Sequence, residues 1–173
     1  MRRFKKLCSQ HQHRVYTFAY YYLGNREDAE DVTQEVLIRL WERGQQVEGE
    51  GLPAWITRVT RNACLDALRK RQSARILGGA ANNEEVLARV PGTDPDPEQL
   101  AEVAELRQRL NQALALLPEL QRSILILREV QGRDYEEISA TLDLPLNTMK
   151  VYLHRGRQRL REILKMSQEH DPN

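Results

Sequence analysis

Apolar residues recur at three- and four-residue steps along most of this 173-residue chain, and the pattern stops decisively in one place, from Gly78 to Glu98. Steps of three and four put side chains on one stripe of an α-helix, whereas a half-buried strand would alternate. Phe4, Leu7, His11, Val15, Phe18 and Tyr22 mark a first helix over residues 4–23, with Gly24 as its C-terminal stop. Asn25 is placed to cap a second, carrying Ala29, Val32, Val36 and Leu40 on one side and ending before Gly44. The glycine-rich segment 44–51 is a loop, and Pro53 suits the first position of a long third helix reaching about Leu77. In that helix Ile56, Val59, Ala63 and Ala67 face inward, while Arg58, Arg61, Asn62, Arg69 and Lys70 face outward.

The interruption contains Gly78, Gly79, Asn82, Asn83, Pro91, Gly92, Pro95 and Pro97, and its acids Glu84, Glu85, Asp94, Asp96 and Glu98 meet only Arg89. It reads as a flexible acidic linker over 78–98 between two small helical domains, 1–77 and 99–173, which must then be net basic. Domains of this size bury modest cores, so partners contribute to stability. The periodicity resumes with Leu100, Val103, Leu106, Leu110, Leu114 and Leu117, and Pro118 interrupts it. Ser123 to Val130 is a short apolar helix ending at Gly132. Asp134 with Glu137 has the spacing of an acidic capping box ahead of Ile138 and Leu142. After a turn at 143–145, a last helix starts near the cap residue Asn147, with Met149, Leu153, Gly156, Leu160 and Ile163 inward. The fold class expected is all-α, with no strand required anywhere.

Two short helices joined by a turn, at 134–142 and 147 to about 165, have the dimensions of a helix-turn-helix whose second member is the recognition helix. Its outward face carries Thr148, Lys150, Val151, His154, Arg155, Arg157, Gln158 and Arg161. Lysine and arginine there can neutralise phosphates, and residues near the helix N-terminus can reach base edges. The bland alternative is a solvated charged face; the coincidence of basic bias with the second helix of the motif favours DNA. The long helix of the first domain is equally one-sided, with Arg58, Arg61, Arg69, Lys70, Arg71 and Arg75 against Asp66. Trp41 and Trp55 read as core anchors, with stacking on an unpaired base as the functional alternative. Glu27, Asp28, Glu30, Asp31, Gln34, Glu35 and Arg39 make the second helix acidic on its outer side, which suits a protein partner.

The segments DAEDVTQEVLIRLW (28–41) and WITRVTRNACLDALRKR (55–71) resemble sigma region 2, and LPELQRSILILREVQGRDYEEISATLDLPLNTMKVYLHRGRQRLRE (117–162) resembles sigma region 4. Nothing resembles regions 1.1 or 3. The order and the gap are those of the extracytoplasmic-function group of the sigma-70 family. That resemblance implies a bacterial, cytoplasmic, non-enzymatic subunit that binds core RNA polymerase through its clamp helices and flap and directs promoter-specific initiation. It places Asp28, Asp31, Gln34, Glu35 and Arg39 on polymerase, and Trp55, Arg58, Arg61, Asn62 and Arg69 on the unpaired minus-ten strand. Thr148, Lys150, Val151, His154, Arg155 and Arg157 would read the minus-thirty-five duplex. An anti-sigma factor is a further expected partner, and no cofactor is implied. Two positions depart from the usual pattern: Val151 and Tyr152 replace a small polar residue and an arginine, removing two polar contacts, and Gly156 stands where alanine is common.

The rival reading is a stand-alone helix-turn-helix regulator, which would need a sensor or dimerisation domain in place of the acidic face and basic helix. A metal site at Cys8, His11 and His13 is unfavourable, because side chains at i, i+3 and i+5 of a helix diverge. No nucleophile-base pair, phosphate-cradling glycine loop or catalytic carboxylate pair stands out. The two cysteines, Cys8 and Cys64, have no close partner, as in a reducing compartment. No apolar run approaches the roughly 18 residues of a membrane span, and the N-terminus lacks a signal-peptide apolar region, so no membrane insertion is expected.

Overall fold

The computed structural model describes residues 2–44, 46, 47, 49, 51–78 and 97–169, and every regular element among them is helical. Three long helices, α1 (Arg2–Leu23), α2 (Arg26–Arg43) and α3 (Gly51–Ile76), pack against one another. The chain can turn sharply from α1 into α2 because Gly24 takes φ +77°, a left-handed conformation in which its N–H reaches the Tyr20 carbonyl at 2.8 Å. Asn25 then caps α2, its side-chain oxygen accepting from the Asp28 backbone N–H at 2.9 Å. The stripe Ala29, Val32, Val36 and Leu40 is buried against Val15, Phe18, Ala19 and Tyr22 of α1 and Ile56 and Ala63 of α3. Each of the larger of these contributes about 1.5–3 kcal/mol.

The second half comprises α4 (Pro97–Ala115), α5 (Glu119–Leu125), α6 (Tyr135–Leu142) and α7 (Leu146–Glu169), with a π-helical turn at Ile126–Val130. The turn is defined by the Gln131 N–H donating to the Ile126 carbonyl, five residues back, at 3.0 Å. α7 lies on α5, α4 and α6, with Met149, Leu153 and Gly156 fully buried and Leu160 and Ile163 partly so. A Cβ on Gly156 would sit 3.3 Å from Leu125 Cδ1, so the glycine sets how closely α5 and α7 approach.

Several local expectations change. α3 begins two residues before Pro53; first-turn N–H groups have no partner inside a helix, so proline is tolerated there as well as at the first position. The apolar segment 123–130 is the end of α5 followed by the π-turn. The capping box does not form: Asp134 makes no side-chain cap bond, and Glu137 pairs with Arg133 at 3.2 Å. Asn147 is inside α7, whose first carbonyl acceptor is Pro145, bonded by the Met149 N–H. Of the expected linker 78–98, residues 79–96 lie outside those described, and Pro97 and Glu98 already belong to α4.

The two halves meet along a seam, α4 against α1 and α6 against α3, within one continuous core. Arg122 of α5 is 7% exposed; it donates to the Tyr22 carbonyl of α1 at 3.2 Å and to the carbonyls of Ala115 and Leu117 at 2.8 and 3.1 Å. Its guanidinium stands 4.8 Å over the Tyr22 ring. Burial lowers its pKa, and the Tyr22 and Glu119 charges offset part of that. Arg61 Nε donates to Ser123 Oγ at 3.0 Å, and Gln131 Nε2 to the Arg14 carbonyl at 2.9 Å.

Candidate nucleic-acid interface

α6 and α7 form the helix-turn-helix, joined by Asp143 in the left-handed region at φ 53°, which an aspartate adopts more readily than a branched residue. The Ser139 hydroxyl donates to the Leu144 carbonyl across this turn, and the Leu144 N–H returns to the Ser139 carbonyl at 3.0 Å. With Met149 and Leu153 seated inward, Lys150, Val151, His154 and Arg155 are exposed and Thr148 is half-buried. They line the first two turns of α7. Arg157 differs, because its Nε bonds Glu129 of the π-turn at 2.6 Å, a contact that raises its pKa. Four of the six residues assigned to duplex DNA are thus unobstructed, one is half-buried, and one is already paired.

On α3, Arg58, Asn62 and Arg69 are exposed, with Arg69 paired to Asp66 at 3.2 Å, and Trp55 is half-buried against the core. Arg61, expected outward, is half-buried in the seam with Ser123. The reason is long-range: the outer side of one helix bundle becomes an inner side once a second packs on it. Residues 45, 48 and 50 of the glycine-rich loop lie outside those described.

On α2, Asp31 and Gln34 are exposed, and Glu35 pairs with Arg39 at 2.5 Å. Asp28 is drawn inward, accepting from Asn25 Nδ2 at 3.0 Å and from the half-buried Arg71, which also reaches the Leu23 carbonyl. It therefore ties α3 to the α1–α2 corner. Trp41, read as a core anchor, is 50% exposed and meets the Phe4 ring edge-on at 4.7 Å between centroids. Ile38 beside it is 59% exposed. Ile38 was legible as outward, since it falls two positions off the Val36–Leu40 side; nothing local marked Trp41. This end of α2 is consequently an apolar surface adjoining an acidic one.

At the seam a small cavity is lined by His11, Arg14, Thr57, Thr60, Gln131 and Arg133 among others. Burial, then Arg14 and Arg133, lower the pKa of His11. Among the described residues no three of His, Cys, Asp and Glu gather as metal ligands, and no helix is long and apolar enough to cross a membrane.

Comparison with known proteins agrees with this division. Residues 7–74 match the family model for sigma-70 region 2, and residues 107–160 match that for sigma-70 region 4. The chain is 40% identical over 159 residues to the ECF RNA polymerase sigma factor SigE of Mycolicibacterium smegmatis, an alignment covering 92% of this chain and 60% of that protein. The chain thus spans somewhat less than two thirds of that relative. It is 27% identical to the ECF RNA polymerase sigma factor SigW of Bacillus subtilis, over 94% of this chain and 89% of the other. Among solved structures, the sigma factor RpoE of Bartonella quintana, determined with the anti-sigma factor NepR, superposes with a TM-score of 0.72 at 27% identity, covering 95% of this chain and 98% of that one. With regions 2 and 4 in order on the two halves, and such relatives along nearly its whole length, the chain belongs to the extracytoplasmic-function group of the sigma-70 family of RNA polymerase sigma factors.

Proposed function

We propose that the chain is a promoter-specificity subunit: it binds core RNA polymerase, directs it to promoters, and carries out no catalysis of its own. The observation that carries this reading is the free basic face at the start of α7, set on a helix-turn-helix in a chain whose other half matches region 2. Lys150, Val151, His154 and Arg155, with Thr148 beside them and Arg157 once released from Glu129, would contact the minus-thirty-five duplex. Trp55, Arg58, Arg61, Asn62 and Arg69 would hold the melted minus-ten strand, offsetting the few kcal/mol that unstacking costs. Opening would then follow from trapping single-stranded DNA, with no hydrolysis. Asp31, Gln34, Glu35 and Arg39 would meet the clamp helices, and Asp28 would support that face from within. Residues 1–77 and 99–173 would act as the two functional domains, with 78–98 between them and the flap engaged by the second.

The working compartment would be the bacterial cytoplasm. An anti-sigma factor fits the exposed apolar residues that flank 79–96, namely Ile76 and Leu77 at the end of α3 and Leu100, Val103 and Leu106 on α4. Run-off transcription from fragmented genomic DNA, with core polymerase alone and with the protein added, tests the reading. Discrete transcripts only in the presence of the protein are expected. Their absence, with failure to co-elute with core polymerase, would overturn it in favour of a stand-alone DNA-binding regulator. Asp31→Arg should weaken co-elution with core while leaving duplex binding intact.

A further inference from the structure

We infer that the second half of the chain is a built-in competitor of nucleic acid for α3, so that the seam between the halves acts as a brake that must open before α3 takes up a single strand. The inference rests on the assignment of α3 to single-stranded DNA. Its basis is Arg61, a cation on the otherwise open basic side of α3, whose Nε is given to Ser123 of α5 while α6 packs along the same helix. A phosphate and Ser123 cannot both hold that donor.

Geometry makes opening a requirement. DNA elements about 25 base pairs apart lie about 85 Å apart along the axis at 3.4 Å per step. A closed chain of this length has a radius of gyration of only about 16 Å. The halves can separate without breaking the chain, because residues 79–96 reach up to about 60 Å when fully extended.

The seam is also built to be reversible. Three of its ties are polar, Arg61 to Ser123, Arg122 to the Tyr22 carbonyl and Gln131 to the Arg14 carbonyl. Buried side-chain atoms there, the Tyr22 hydroxyl, the Asn111 amide and Gln131 Oε1, have no hydrogen-bond partner among the described residues. Such groups gain solvent partners when the halves part, whereas a permanent core would satisfy them internally.

The test uses the full chain with Cys8→Ser, labelled at Gln72→Cys on α3 and Glu136→Cys on α6, both exposed positions. Label separation reports closure. Fluorescence anisotropy reports affinity for a mixed-sequence single-stranded oligonucleotide of about twelve nucleotides. Ser123→Ala and Gln131→Ala each remove one cross-seam tie; the second lies on neither proposed DNA surface. Each should lengthen the label separation and raise single-strand affinity about five- to tenfold, since apparent affinity scales with the open fraction. Arg61→Ala should lengthen the separation without the affinity gain. Unchanged or weaker single-strand binding in both Ser123→Ala and Gln131→Ala would overturn the inference. Neither readout involves polymerase, so failure in run-off transcription would count against the sigma reading alone.

Discussion

α3 and α7 are the two longest helices, both carry a basic outer side, and the structure treats them in opposite ways. α7 buries its inner stripe on α5 and leaves Lys150, His154 and Arg155 to solvent. α3 is enclosed on three sides, by α1, α2 and α6, and two of its arginines are consumed internally, Arg61 by Ser123 and Arg71 by Asp28 and the Leu23 carbonyl. A run of positive charge in a sequence therefore says that cations are present, and only packing says which of them remain available. On α7 they are available for a ligand; on α3 several act as mortar.

The contrast can be broken at its strongest point with Arg122→Leu. This removes a buried cation that satisfies three carbonyls across and beside the seam, and the change should destabilise the chain by about 3 kcal/mol or more, read by urea unfolding. A loss under about 1 kcal/mol would mean that those carbonyls find other donors and that the seam is weaker than drawn. Next is Gly156→Leu, expected to cost about 2–3 kcal/mol by forcing α7 off Leu125 and Gln121. A neutral outcome would show that α5 and α7 can separate freely.

Lys150→Ala with Arg155→Ala sharpens the other side of the comparison. Both side chains are exposed, so melting should be unaffected, while duplex affinity falls and the slope of log affinity against log salt becomes shallower by about 2. A smaller, pH-dependent effect belongs to His11. Its pKa is depressed in the folded chain, so the unfolded state binds the proton more readily; its contribution is intact above the unfolded value of about 6.5 and is lost as pH falls toward the folded one. His11→Gln should then reduce the loss of melting temperature between about pH 7.5 and 5.5. An identical loss in parent and variant would remove His11 from the acid sensitivity of the seam.

Helix content and inner stripes were legible because they depend on near neighbours: Asn25 caps as its chemistry dictates, and Ala29, Val32, Val36 and Leu40 are all buried. The free face of α7 was legible for the same reason. The fates of Arg61 and Asp28 were not, since each is decided by a partner 43 to 62 positions away. Trp41 misled in the other direction, an aromatic on the flank of an amphipathic helix that finds only Phe4 as a ring partner. The capping box failed because Arg133, immediately before Asp134, engages Glu137.

The π-turn at Ile126–Val130 gives the chain something an ordinary helix lacks, a one-residue insertion held as slack. Deleting a single residue there would let α5 continue as plain α-helix, and everything after it would swing by about 100° and retreat by about 1.5 Å. The helix-turn-helix would remain whole but point elsewhere, because Glu129, which anchors Arg157, lies in the same turn. The turn is in effect an indexing notch: a deletion or insertion one residue long re-aims the reading head without redesigning it.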